Sequence, residues 1–112
     1  MKTFYEGWDC KEDMARDFNI DLKELDGVEV LFAWYTGWCY EGEAAVVFRK
    51  DGKLYEVHGS HCSCYGLEGQ WEPEETSVEA LKYRFENGNF GYFFDQNSEL
   101  KDAFSAMLNS HN

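Results

Sequence analysis

The sequence predicts one α+β domain over residues 1–112, with a three-stranded antiparallel sheet, one further segment that can add a short fourth strand, and about three helices packed on one face. A chain of 112 residues has the length of one domain that buries its own core. Asp51-Gly52 separates two β-prone runs, which is the strongest short-range signal for a hairpin. Apolar residues recur at helical spacing in three other segments. Antiparallel strands with helices on one face form an α+β fold.

The first helix is predicted to begin at Asp9, because Asp9 and Glu12 have the spacing of a capping box. Asp21–Leu25 can add a short helical turn, and Asp26-Gly27 ends the pattern. We therefore expect a short amphipathic helix before the sheet, with one apolar stripe formed by Cys10, Met14 and Phe18.

Three strands are predicted in the middle of the chain. Val28–Tyr35 has apolar residues at odd and even positions, which is typical of an interior strand covered on both faces. Glu43–Lys50 and Lys53–Gly59 flank the Asp51-Gly52 turn and form the hairpin. Counting outward from the turn pairs Lys50 with Lys53, Gly42 with His61, Glu41 with Cys62, and Cys39 with Cys64.

The remaining elements lie in the second half of the chain. Glu68–Glu75 is expected to be an acidic loop, and Thr76 with Glu79 forms a capping box that begins a second helix, which Gly88 ends. Asn89–Phe94 is expected to be a short strand or an ordered aromatic loop. Ser98 is predicted to cap a last helix, whose buried stripe comprises Leu100, Phe104, Met107 and Leu108.

The chain is strongly acidic, with 22 Asp and Glu against 10 Lys and Arg and a net charge of −12. Aromatic residues make up 18% of it, which excludes the composition of a disordered acidic chain. The charge argues against direct binding to nucleic acid or to an anionic membrane, because both ligands normally require a basic patch. Two acidic segments flank a near-neutral middle, so a protein partner with a basic surface is expected. The oligomeric state is not predicted.

The expected compartment is the cytoplasm. Residues 1–10 have no apolar signal region, and no apolar run is long enough to span a bilayer. In a reducing compartment, cysteines are thiols or metal ligands more often than disulfides.

A cluster of cysteine and histidine residues occupies His58–Cys64, and the hairpin brings Cys39 towards it. Thiolate and imidazole ligands suit Zn²⁺, so one alternative is a small zinc-binding module. Its ligands would be Cys39, His61, Cys62 and Cys64, with His58 as a substitute for His61. In the other readings the cluster is structural, with half-buried thiols and a hydrogen-bonded histidine, or it holds a regulatory disulfide. No cofactor is needed in those readings.

An enzyme is not the favoured prediction. Its strongest version is a small cysteine-dependent enzyme in which Cys62 or Cys64 is the nucleophile and a nearby histidine is the base. No glycine-rich phosphate loop is present, and no catalytic residue is assigned.

A contact surface for a partner is the favoured prediction. Trp and Tyr are enriched at interface hot spots, and carboxylates can imitate the spacing of phosphates. The acidic helices Asp9–Phe18 and Thr76–Asn87 are expected to contribute to this surface together with the loop Glu68–Glu75. The alternatives are local packing of the aromatic residues and a solvated loop. The predicted contact residues are Trp38, Tyr40, Tyr65, Glu68, Trp71, Glu72, Glu74 and Glu75.

The stretch SHCSCYGLEGQWEPEE, Ser60–Glu75, resembles small acidic proteins of tailed bacteriophages, a group that is largely uncharacterised. The resemblance implies a phage-encoded protein that acts in the bacterial host cytoplasm. It also implies, at the level of the class, a protein that inhibits or modulates a host nucleic-acid-acting enzyme or defence complex such as a nuclease or a CRISPR effector. An acidic surface that mimics DNA would make the protein an anti-CRISPR candidate.

Overall fold

A five-stranded mixed sheet forms the middle layer of the fold, and the order of its strands follows the chain. The computed structural model describes residues 3–36, 42–62, 66–88 and 92–110. β1 runs parallel to β2, and the other neighbouring pairs are antiparallel. The α+β class is therefore confirmed, but three antiparallel strands understate the sheet. The strands are β1 (Phe4–Glu6), β2 (Glu29–Tyr35), β3 (Gly42–Lys50), β4 (Lys53–His61) and β5 (Glu74–Thr76).

The two edge strands, β1 and β5, are the ones that the sequence pattern missed. Each has three residues, which is too few to show the alternation that identifies a strand. β5 forms because Glu74–Thr76 pairs with Leu54–Glu56 of β4, so this part of the predicted acidic loop is an edge strand. The expectation of a short strand or an ordered aromatic loop at Asn89–Phe94 is wrong in its last part, because Tyr92–Asp95 is helical. Residues 89–91 lie outside the described residues.

The central hairpin has the predicted register, from Lys50 opposite Lys53 to Gly42 opposite His61. Asp51 and Gly52 have φ values of 53° and 78°, as a two-residue turn between twisted strands requires. This turn determines which side chains of β4 share a face with those of β3.

Helices cover both faces of the sheet, so the prediction of helices on one face is wrong. α1 (Lys11–Phe18) and a 3₁₀ turn (Leu22–Leu25) lie on one face. The opposite face is covered by α2 (Val78–Glu86), α3 (Tyr92–Asp95) and α4 (Ser98–Ser110). The reason is visible in β2, where Ala33 packs towards α1 while Phe32 and Trp34 pack towards α4. A strand that is apolar on both sides needs a layer on each.

In α1, α2 and α4 the N-cap lies one residue from where the sequence pattern placed it. Cys10 is the N-cap of α1 and makes no side-chain capping bond. Ser77, not Thr76, caps α2 by accepting a hydrogen bond from the amide of Ala80 at 3.1 Å. Asn97 Oδ1 accepts a hydrogen bond from the amide of Leu100 at 3.1 Å, so Asn97, not Ser98, caps α4. The predicted stripe of α4 is confirmed, because Leu100, Phe104, Met107 and Leu108 are all buried.

Candidate functional site

The acidic segment, residues 68–79, contains five glutamates and no lysine or arginine. It runs from the loop after β4 through β5 into the first turn of α2. All five carboxylates are exposed; they belong to Glu68, Glu72, Glu74, Glu75 and Glu79. The predicted contact residues in the described part of the chain therefore share one edge of the sheet. Trp38, Tyr40 and Tyr65 lie outside the described residues, and their part in the contact stays a prediction.

Trp71 attaches the middle of the acidic segment to the α1 face. Its ring stacks on Phe48 with centroids 5.7 Å apart and an angle of 11° between the planes. It also meets Phe18 of α1 edge-on at 5.1 Å. The Trp71 indole thus packs against the α1 face, but it is only half-buried, so its exposed part can contact a ligand.

The Gln70 amide attaches the segment to β4 by pairing as a strand residue would. Its Oε1 accepts from the amide of Ser60 at 2.8 Å, and its Nε2 donates to the carbonyl of Ser60 at 2.7 Å. The same Nε2 donates to the carbonyl of Gly66 at 2.8 Å. The Gln70 side chain therefore extends the hydrogen bonding along the edge of β4 to a point before β5 begins.

A buried carboxylate fixes the far end of the segment. Glu56 of β4 is 7% exposed and accepts from the Arg84 guanidinium of α2 through both its oxygens. His58 Nε2 donates to it at 2.7 Å, and Thr76 hydrogen-bonds to it as well. Burial raises the pKa of Glu56, but the hydrogen bonds from His58, Arg84 and Thr76 outweigh it and lower the pKa to about 2. Glu56 is therefore ionised and ties β4, β5 and α2 together.

The exposed glutamates of the acidic segment are not consumed by internal ion pairs. Within the described ranges, none of these five carboxylates belongs to a salt bridge such as those formed by Asp13, Asp17 and Glu56. The segment is thus held by Trp71, Gln70 and β5, while its charges remain available to a partner.

The two acidic helices that were expected to share this surface lie on opposite faces of the sheet. α1 is on the same face as Trp71, whereas α2 packs on the other. The two helices therefore present their exposed sides in opposite directions, and their joint part in the contact stays a prediction.

The cysteine–histidine cluster is divided by the sheet. His58 and His61 are three residues apart on β4 and so point to opposite faces. His58 lies with Glu56, whereas His61 is buried against Tyr35 with the ring centroids 5.3 Å apart. His61 Nε2 donates to the carbonyl of Thr36 at 2.9 Å, because a carbonyl only accepts. Nε2 of His61 therefore carries a proton in this arrangement.

The zinc alternative stays a prediction. Cys39 and Cys64 lie outside the described residues, and Cys62 is half-buried. Among the residues that the structure describes, no three histidine, cysteine or acidic side chains form a metal-binding group.

Tyr35 lies in an aromatic and acidic cluster that the sequence pattern did not reveal. Trp8 stacks on Tyr35 with centroids 5.2 Å apart and donates its indole N–H to Asp17 at 2.8 Å. Burial, Asp17 and Glu68 together raise the pKa of the Tyr35 hydroxyl. Glu68 and α1 thus act on the same hydroxyl, and only the tertiary fold brings them together.

The sequence pattern did not predict a groove next to the acidic segment, although it did indicate one of the lining residues, Trp71, as a contact residue. It has a volume of about 470 Å³ and opens on the α1 face near the hairpin turn. Phe48 packs between Trp71 and Tyr55, and its ring lies 5.3 Å from that of Tyr55 at 21°. We name this feature the aromatic groove; its lining residues are Glu24, Val28, Phe48, Lys50, Tyr55, Trp71 and Pro73.

The chain matches no protein-family model, no curated protein and no solved structure. Within the described residues, every helix is too short or too polar to cross a bilayer.

Proposed function

We propose that this chain is a phage-encoded binding protein that inhibits or modulates a host nucleic-acid-acting enzyme or defence complex in the bacterial cytoplasm. The acidic segment is the contact surface, and a basic surface of the host protein is its partner. One observation carries the proposal: five exposed carboxylates project from a backbone that is fixed to the sheet edge.

The fixed backbone favours binding over a purely solvating role. Trp71, Gln70 and the β5 pairing order the segment in the free protein. A contact segment that is already ordered loses little conformational entropy when it binds. Charges on an edge strand also prevent other strands from adding to the sheet, and Glu74 and Glu75 serve that purpose here. Glu68, Glu72 and Glu79 lie outside β5 and are not required for it.

The charge of the whole chain supports the same partner. A net charge of −12 attracts a basic surface at a distance and raises the rate of encounter. Carboxylates at the sheet edge can occupy a groove that otherwise holds phosphates, which is the basis of nucleic-acid mimicry. Such binding must weaken when salt screens the charges.

The test uses Glu72→Gln, Glu74→Gln and Glu75→Gln in one variant. A matched control changes three exposed acids elsewhere, as Glu86→Gln, Glu99→Gln and Asp102→Asn. Wild-type protein captures a partner from bacterial lysate, the partner is identified by mass spectrometry and purified, and its dissociation constant is measured for all three proteins. We expect the first variant to bind at least tenfold more weakly and the control to bind within about twofold of wild type.

Salt and nucleic acid provide two further readouts. From about 0.1 M to about 1 M salt the Debye length falls from about 10 Å to about 3 Å, so affinity must fall steeply. Duplex DNA must compete with the protein for its partner. The proposal is wrong if affinity is unchanged by salt, or if both variants bind as wild type does.

A further inference from the structure

Among the described residues, the aromatic groove is a recess on the α1 face of the sheet. Phe48 forms its floor and is 3% exposed, while Tyr55 and Trp71 are half-buried beside it. The 3₁₀ turn contributes Glu24, and the acidic segment contributes Trp71 and Pro73 on the other side. The volume of about 470 Å³ falls within the range of ordinary ligand sites, which is about 300–1,000 Å³.

The chemistry of the lining favours a cation with a flat, weakly hydrated head. Aromatic faces carry a negative quadrupole and attract cations, and they attract guanidinium more often than ammonium. Guanidinium is also planar and less strongly hydrated than ammonium, so it stacks on aromatic rings. Because Phe48 is covered by Tyr55 and Trp71, the half-buried rings of those two residues are the ones that can receive a guanidinium, and they give the groove the character of an arginine site.

The charges around the groove point in the same direction. The lining itself contains one acid, Glu24, and one base, Lys50. Glu72 and Glu74 flank Pro73 in the chain and are both exposed, so they give this side of the groove a negative bias. An anionic ligand would have to approach past them.

We propose that the aromatic groove receives an arginine side chain of the basic partner while the acidic segment binds the surrounding positive surface. This inference rests on the proposed function and adds a chemical selectivity to it. The acidic segment attracts both lysine and arginine through their charge, whereas the groove adds a preference for the flat guanidinium head.

The probes are capped tetra-arginine and tetra-lysine peptides, which have the same charge. Calorimetry at about 0.1 M salt gives both dissociation constants. Wild-type protein is expected to bind tetra-arginine about threefold to tenfold more tightly than tetra-lysine. Trp71→Leu is expected to remove this preference and leave tetra-lysine binding within about twofold of wild type.

A second measurement avoids any loss of folding in Trp71→Leu, because Trp71 also packs on Phe18. In the NMR spectrum of the wild-type protein, tetra-arginine must shift the indole N–H of Trp71 more than tetra-lysine does. Lys50→Gln must strengthen binding of tetra-arginine, because Lys50 repels a cation in the groove. If Lys50→Gln weakens that binding, the groove is not a cation site.

The failures of the two proposals are distinct. Equal affinities for the two peptides, with no selective shift of Trp71, overturn the arginine site and leave the acidic surface intact. An arginine preference that persists in Trp71→Leu also overturns it. If neither peptide binds, or if the variant with Glu72, Glu74 and Glu75 changed to Gln binds both as wild type does, the acidic surface itself fails. Self-association that Trp71→Leu abolishes would make the groove a contact between copies of this chain.

Discussion

Replacing Glu56 by Gln should weaken the ion pair and hydrogen bonds that join β4 to β5 and α2. Glu56 is 7% exposed and bonds to Arg84, His58 and Thr76. The substitution keeps the shape of the side chain but removes its charge. Arg84 and His58 then lose a charge-assisted acceptor, and such bonds are about twice as strong as neutral ones.

The magnitude follows from the pKa of Glu56, which the fold lowers from 4.5 to about 2. This difference corresponds to about 3 kcal/mol of the free energy of unfolding, a large share of the roughly 5–15 kcal/mol of an ordinary domain. Because the pKa is lower in the folded state than in the unfolded state, the contribution is fully present above pH 4.5 and is lost as the pH falls towards 2.

Urea denaturation followed by circular dichroism tests this at a series of pH values. At pH 7 the Glu56→Gln variant should unfold with a free energy about 3 kcal/mol below that of wild type. The gap should narrow below pH 4.5 and close near pH 2. Glu75→Gln, an exposed neighbour on β5, serves as the control and should change stability by less than about 0.5 kcal/mol. A gap that does not change with pH, or one no larger than that of the control, would refute the reasoning.

Three further predictions concern the framework around the site. Gly42→Ala should destabilise the fold by at least about 3 kcal/mol in urea denaturation, because the new Cβ would lie 2.1 Å from a backbone carbonyl oxygen; a loss below about 1 kcal/mol would contradict this. Gln70→Ala should cost about 1–2 kcal/mol and accelerate hydrogen exchange at the amide of Ser60, which loses its acceptor; unchanged exchange would contradict it. Asn97→Ala should cost about 1 kcal/mol and Ser98→Ala only a few tenths; the reverse order would restore Ser98 as the cap.

The hairpin and the stripe of α4 were predictable because they depend on local pattern. Asp51-Gly52 permits the positive φ values of a two-residue turn, and the register then follows residue by residue to His61. Leu100 and Phe104 have the spacing of one helix face, so their burial follows from helical geometry. β1 and β5 were not predictable in this way, since a three-residue strand forms only where a neighbouring strand offers free backbone groups.

The candidate site divides along the same line. The glutamates of the acidic segment and Trp71 were identified from composition and residue type. Their anchoring by Gln70 was not, because a side-chain amide in place of a strand leaves no periodic signal. The aromatic groove was not predicted either. Phe48 and Tyr55 look like ordinary residues of two strands in the sequence, and they line a groove only because Trp71 from a distant segment stacks on Phe48.

By itself, the sequence determined the α+β class, the hairpin register and the location of the negative charge. These properties depend on neighbours within a few residues or on simple counting. Only the tertiary structure decided that helices cover both faces and that Glu56 is buried with Arg84, 28 residues away. It also decided that α1 and α2 pack on opposite faces of the sheet. Such features arise from contacts between distant segments, whose formation depends on how the apolar faces of all elements are buried together.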